Sequence, residues 1–102
     1  MSKLVRDKVL DLLRAEGGNP VTHIADDQEY WKRLQAKLLE EVKELFNSKD
    51  DANFKEELAD VIEVILAIQR FKNIDHGELF ELCIKKEYEK GLFDKRIVLD
   101  KR

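Results

Sequence analysis

Cysteine is nearly missing from this chain, and its other scarcities are equally informative. The single cysteine, Cys83, excludes an internal disulfide and fits a reducing compartment. One proline and four glycines leave few interruptions of regular backbone, so composition favours long helices. No apolar run approaches the roughly 18 residues that a membrane-spanning helix needs. The opening residues, Met1 to Lys8, carry no apolar signal-peptide core. A soluble cytoplasmic protein with no membrane partner is expected. Neither sign of charge dominates: 19 basic residues oppose 22 acidic ones, for a net charge of −3. A broad basic field for nucleic acid is thereby excluded.

What is present is apolar enough for a core, at 43%, and unusually charged, at 40%. The 102 residues fit one domain, 1–102. A chain this short buries a modest share of its surface, which favours a homodimer or higher homo-oligomer. Helical periodicity appears four times. The first pattern runs from Val5 to Glu16 and stops at Gly17-Gly18. The second runs from Asp26 or Asp27 to Asn47. The third runs from Asn53 to Lys72, after a turn short enough to make it antiparallel to the second. The fourth is capped by Asp75 and ends near Gly91. Val21-Ile24 and Ile97-Leu99 alternate or cluster β-prone residues. They are expected to form a minor two-stranded pair on an otherwise all-α, antiparallel four-helix bundle.

The acidic residues carry the chemistry. At about 100° per residue, Leu34, Leu38, Glu41 and Leu45 share one stripe of the second helix, with Glu44 at its edge and Glu40 turned further outward. On the third helix Glu57 lies in line with Val61, Val64, Ile68 and Phe71, and Asp60 lies beside that seam. Each helix therefore puts two carboxylates, three residues apart, along its apolar face. The short turn sets both pairs at similar heights. Carboxylates cannot crowd together out of water as bare anions. They pair with lysine, take up protons, or bind a divalent cation. An all-oxygen set suits Mg²⁺, with Mn²⁺ as a substitute, and with no histidine or cysteine among the four it disfavours zinc.

Glu40-Glu41-Val42-Lys43-Glu44 followed by Glu57-Leu58-Ala59-Asp60 resembles the EExxE…ExxD signature of the MazG-like, all-α NTP pyrophosphatase superfamily. Lys3-Leu4-Val5-Arg6-Asp7-Lys8, Lys37-Leu38-Leu39, and Lys86-Glu87 through Gly91-Leu92-Phe93 with Arg96-Ile97-Val98-Leu99 resemble its phosphoribosyl-ATP pyrophosphohydrolase-like branch. The resemblance implies Mg²⁺-dependent hydrolysis between the α- and β-phosphates of a nucleoside triphosphate. The products would be a monophosphate and pyrophosphate, as in the removal of non-canonical nucleotides. It implies Glu41, Glu44, Glu57 and Asp60 as metal ligands, with Glu41 and Glu40 as the catalytic carboxylates, Glu40 orienting the attacking water.

Phosphate charge not neutralised by metal needs cations. Arg6, Lys8, Lys86, Lys90 and Arg96 are the candidates, Lys86 and Lys90 sharing one helix face. Tyr30 and Trp31 at helical spacing read as packing residues before base-stacking ones. Cys83, among Leu79, Phe80, Leu82 and Ile84, reads as core. Two competing readings are phosphoribosyl-ATP hydrolysis in histidine biosynthesis and a non-catalytic helical interaction module.

Overall fold

The computed structural model describes residues 2–102, which are all-α: α1 (Val9–Ala15), α2 (Asp27–Phe46), α3 (Asp51–Phe71) and α4 (His76–Lys90). The chain divides into two compact units, Met1–Ile68 and Gln69–Arg102.

In the first unit, local chemistry sets each helix end. The Asp26 carboxylate accepts the Glu29 N–H at 2.8 Å and caps α2. The α2–α3 turn spans 47–50. Asp50 Oδ1 accepts the Asn53 N–H at 2.8 Å, while Asn53 Oδ1 accepts the Lys49 N–H at 3.0 Å. This reciprocal cap starts α3 at Asp51, two residues before the expected Asn53. Gly17, at φ 87°, ends α1: the Gly17 N–H donates to Arg14 O and the Gly18 N–H to Leu13 O. The helix begins at Val9 rather than Val5, and Lys8 at its N-cap position makes no side-chain capping bond.

Leu34, Leu45 and Val61 form the buried centre of this unit, with Leu34 only 1% exposed. Burying a leucine so fully is worth about 1.5–3 kcal/mol. Leu38, Val64 and Ile68 are half-buried beside them. The stripe read from α2 and the seam read from α3 are thus the packed faces.

The expected β pair does not form. Neither Val21-Ile24 nor Ile97-Leu99 is a strand, and Val21 and Ile24 are 99% and 97% exposed. β-prone side chains make a strand only where packing and a partner's backbone reward it.

In the second unit, Gln69 is the buried anchor. Its Nε2 donates to Ile74 O at 3.1 Å, and its Oε1 lies 3.2 Å from His76 Nδ1. Asn73, at φ 55°, closes α3: the Asn73 N–H reaches Arg70 O and the Ile74 N–H reaches Gln69 O. Asp75 Oδ2 accepts the Glu78 N–H at 3.1 Å and opens α4, as the sequence predicts. No residue of α4 is fully buried. Cys83 is exposed, against the expectation of a core residue. The apolar neighbours that argued for burial, Phe80, Leu82 and Ile84, are themselves about half exposed.

Candidate metal centre

Glu41 sits one turn before the end of α2, Glu44 three residues on, and Glu57 in the second turn of α3. The turn at 47–50 folds the helices back so that these residues face one another. One oxygen from each of the three lies within 4.8 Å of the others. Glu41 is buried, at 7% exposure, Glu57 half-buried and Glu44 exposed. The site is thus open on one side and desolvated on the other.

Its hydrogen-bonding account does not close. Glu41 Oε2 and Glu57 Oε2 are buried and accept no hydrogen bond. The other oxygens are engaged: Glu41 Oε1 lies 3.4 Å from Lys37 Nζ, and Glu57 Oε1 accepts from Asn53 Nδ2 at 3.4 Å. A buried, unpartnered carboxylate oxygen is costly. Two of them facing one cluster are what a bound cation would satisfy. The Glu44 carboxyl is pushed above the ordinary glutamate value by loss of solvation, then by its contact with Glu41 and the charges of Glu57 and Glu40. A third bare charge is therefore less favourable here than on an isolated glutamate, and a cation would relieve it.

The remaining predicted residues are distributed unevenly. Asp60 stands apart from the trio: its Oδ1 accepts from Arg6 Nη2 at 2.7 Å. Arg6, expected at phosphate, is instead the partner of an expected metal ligand, and both are substantially exposed, at 61% and 40%. Glu40 turns outward to Lys37, Oε1 to Nζ 3.6 Å. Lys8 is exposed beside the start of α1. Lys86, Lys90 and Arg96 are exposed in the second unit.

Sequence reasoning missed Lys37 and Asn53 as members of the site. Both were legible as helical neighbours, since Lys37 precedes Glu41 by four residues and Asn53 precedes Glu57 by four. It also missed His23, whose Nε2 lies 2.9 and 3.0 Å from the two oxygens of Glu29. Arg33 binds the same carboxylate through Nε and Nη2 and donates from Nη1 to Ser2 O at 3.1 Å. His23 and Arg33 together hold the Glu29 carboxyl below its ordinary value.

The chain matches no family model and no solved structure. Over 45 residues it is 53% identical to an uncharacterized protein of Mycolicibacterium smegmatis, a stretch covering 44% of this chain and 46% of that protein. The chain thus spans about half the length of that relative. No helix among the described residues is long and apolar enough to cross a membrane.

The donor set fits a hard divalent cation. All three donors are carboxylate oxygens, two residues contribute a buried oxygen with no other partner, and the spacing lets all three reach one ion. Glu41, Glu44 and Glu57 would hold it. Asp60, bound to Arg6, is outside this set.

Proposed function

We propose that this protein is a Mg²⁺-dependent nucleoside triphosphate pyrophosphohydrolase with the bundle of the all-α NTP pyrophosphatases, acting on non-canonical nucleotides. The observation that carries the reading is the convergence of Glu41, Glu44 and Glu57 with two buried, unpartnered oxygens among them. The EExxE…ExxD pattern supports it independently of geometry. Glu41, Glu44 and Glu57 would hold the Mg²⁺, which would supply charge neutralisation for the triphosphate and a more acidic water.

The chain's own residues divide the remaining work. Glu41, the most buried of the three, would be the innermost ligand. Glu44, whose carboxyl is raised above the ordinary glutamate value by lost solvation and by its acidic neighbours, would hold the cation on the exposed side. Glu40, outside the trio, is placed to accept a proton from water at the rim. Arg6 is close enough to Asp60 to shift between that carboxylate and substrate phosphate.

A second copy is the proposed partner. Phe54, Leu58, Ile62 and Ile65 follow one another along α3 at helical spacing and are each 41–49% exposed. Light scattering during size-exclusion chromatography measures the assembly directly, and a monomer at micromolar concentration would remove this partner.

The decisive experiment is pyrophosphate release from a panel of ordinary and modified nucleoside triphosphates, with phosphoribosyl-ATP included, in MgCl₂. Turnover of modified triphosphates is expected, lost in Glu41→Gln and Asp60→Asn and kept in Glu56→Gln, which alters an exposed carboxylate outside the cluster. Turnover of phosphoribosyl-ATP alone would move the protein to histidine biosynthesis. No turnover of any substrate, with no metal binding, would favour an interaction module.

A further inference from the structure

Lys37 stands between two features. Its ammonium lies 3.4 Å from Glu41 Oε1 and 3.6 Å from Glu40 Oε1, with the side chain 19% exposed. It also lines a groove of about 430 Å³ on the first unit, together with Ser2, Lys3, Arg33 and Glu40. Both ion-pair distances exceed the roughly 2.7–2.9 Å of a hydrogen-bonded ammonium–carboxylate pair. Lys37 is therefore a counter-ion held by charge and not by fixed bonds, on a flexible four-carbon stem. The groove carries two further cations. Arg33 is fixed by Glu29 and the Ser2 carbonyl, so it keeps its charge on the groove wall. Lys3 is exposed beside it.

We propose that a divalent cation displaces Lys37 from Glu41, and that the freed ammonium turns into the groove. There, with Lys3 and Arg33, it completes a subsite for the phosphate of a phosphoanhydride ligand. The inference rests on the reading of the carboxylates as a cation site. Its physical basis is charge balance. Removing Lys37 from an empty site leaves the buried Glu41 carboxylate uncompensated, which is strongly unfavourable. An arriving cation supplies the compensation, so the ammonium leaves at little cost. Binding is then ordered: the metal creates the anion subsite. This explains how one lysine can serve a buried acid and an anionic ligand in turn.

The test is Mn²⁺ affinity, measured by electron paramagnetic resonance of free Mn²⁺. It compares wild type with Lys37→Met, with Lys37→Gln as the milder neutralisation and with Lys32→Met as an exposed control on α2. Loss of the competing positive charge is expected to tighten Mn²⁺ binding about tenfold in the Lys37 variants, since unit charges a few Å apart interact by kcal/mol. Lys32→Met should stay within about twofold. At saturating Mn²⁺, imidodiphosphate, a slowly hydrolysed P–NH–P analogue of a phosphoanhydride, should bind at least about fivefold more weakly to Lys37→Met and Lys3→Met than to wild type. A wild-type protein that binds no Mn²⁺ overturns this inference together with the cation site. Unchanged Mn²⁺ affinity in both Lys37 variants overturns the exchange alone and leaves the site standing. Tighter Mn²⁺ binding with unaltered imidodiphosphate affinity overturns the groove's part.

Discussion

Replacing Glu57 by glutamine should make the metal-free protein more stable while removing its response to metal. Glu57 and Glu41 present oxygens no more than 4.8 Å apart, one side chain half-buried and the other buried. Two unit charges at that separation repel by about 3.5 kcal/mol at an effective dielectric constant of about 20. Glu44, within the same distance but exposed, adds nearer 1 kcal/mol, because water screens it. The amide removes both repulsions and can donate to Glu41 Oε2, which accepts no hydrogen bond. The amide must still bury its own polar atoms, and its hydrogen bond from Asn53 is reorganised. A net gain of about 1–2 kcal/mol is therefore expected. For a domain of this size that is a rise in melting temperature of roughly 4–16 °C. The assay is thermal unfolding by circular dichroism at pH 7.5 in low salt, with EDTA and then with MgCl₂. Wild type should be stabilised by magnesium and Glu57→Gln should not. A Glu57→Gln protein less stable than wild type in EDTA would show that these carboxylates do not repel one another, and the account of the cluster would fall with it.

Glu44 and Glu29 should give the metal-free protein opposite pH responses. The folded-state value of Glu44 is raised, so its stabilising share is full below the ordinary 4.5 and is lost as pH climbs through the raised value. Acidification from neutrality towards 4.5 should therefore raise the melting temperature, and Glu44→Gln should flatten that rise. Glu29 is shifted downwards, so its share is full above 4.5 and is lost as pH falls through the lowered value. The melting temperature should drop there, and less so in Glu29→Gln. Leu34→Ala, at the most buried apolar side chain, should cost about 2–5 kcal/mol in urea unfolding with an unchanged slope. Asp26→Ala should cost about 1 kcal/mol in the same assay by uncapping α2. Arg6→Ala should cost less than about 1 kcal/mol, since its pair with Asp60 is exposed.

Features encoded by near neighbours were legible in the sequence, and those encoded by distant ones were not. Asp26 and Asp75 cap the helices they were expected to cap, and Gly17 and Gly91 adopt the positive φ expected at helix ends. Glu41 is buried where its angle on α2 put it. The start of α3 shifted because Asp50, inside the assumed turn, has the better-placed oxygen. The pairing of Arg6 with Asp60 joins positions 54 residues apart, and no periodicity announces such a contact. The expected β pair failed for the same reason: side-chain preference is local, whereas a strand depends on a partner elsewhere. At Cys83 a dense apolar neighbourhood was taken for burial, but a helix that is apolar over much of its circumference still leaves much of that surface uncovered.

Residues 2–6 belong to no helix, yet two arginines stitch them to the rest of the unit. Arg33 grips the Ser2 carbonyl, and Arg6 neutralises Asp60. Trimming this lead-in to obtain a tidier helical fragment would alter the charge around Asp60 as surely as a point mutation. Where a purification tag is fused then becomes an electrostatic choice, and titrations from differently tagged preparations are comparable only where Ser2 and Arg6 keep these contacts.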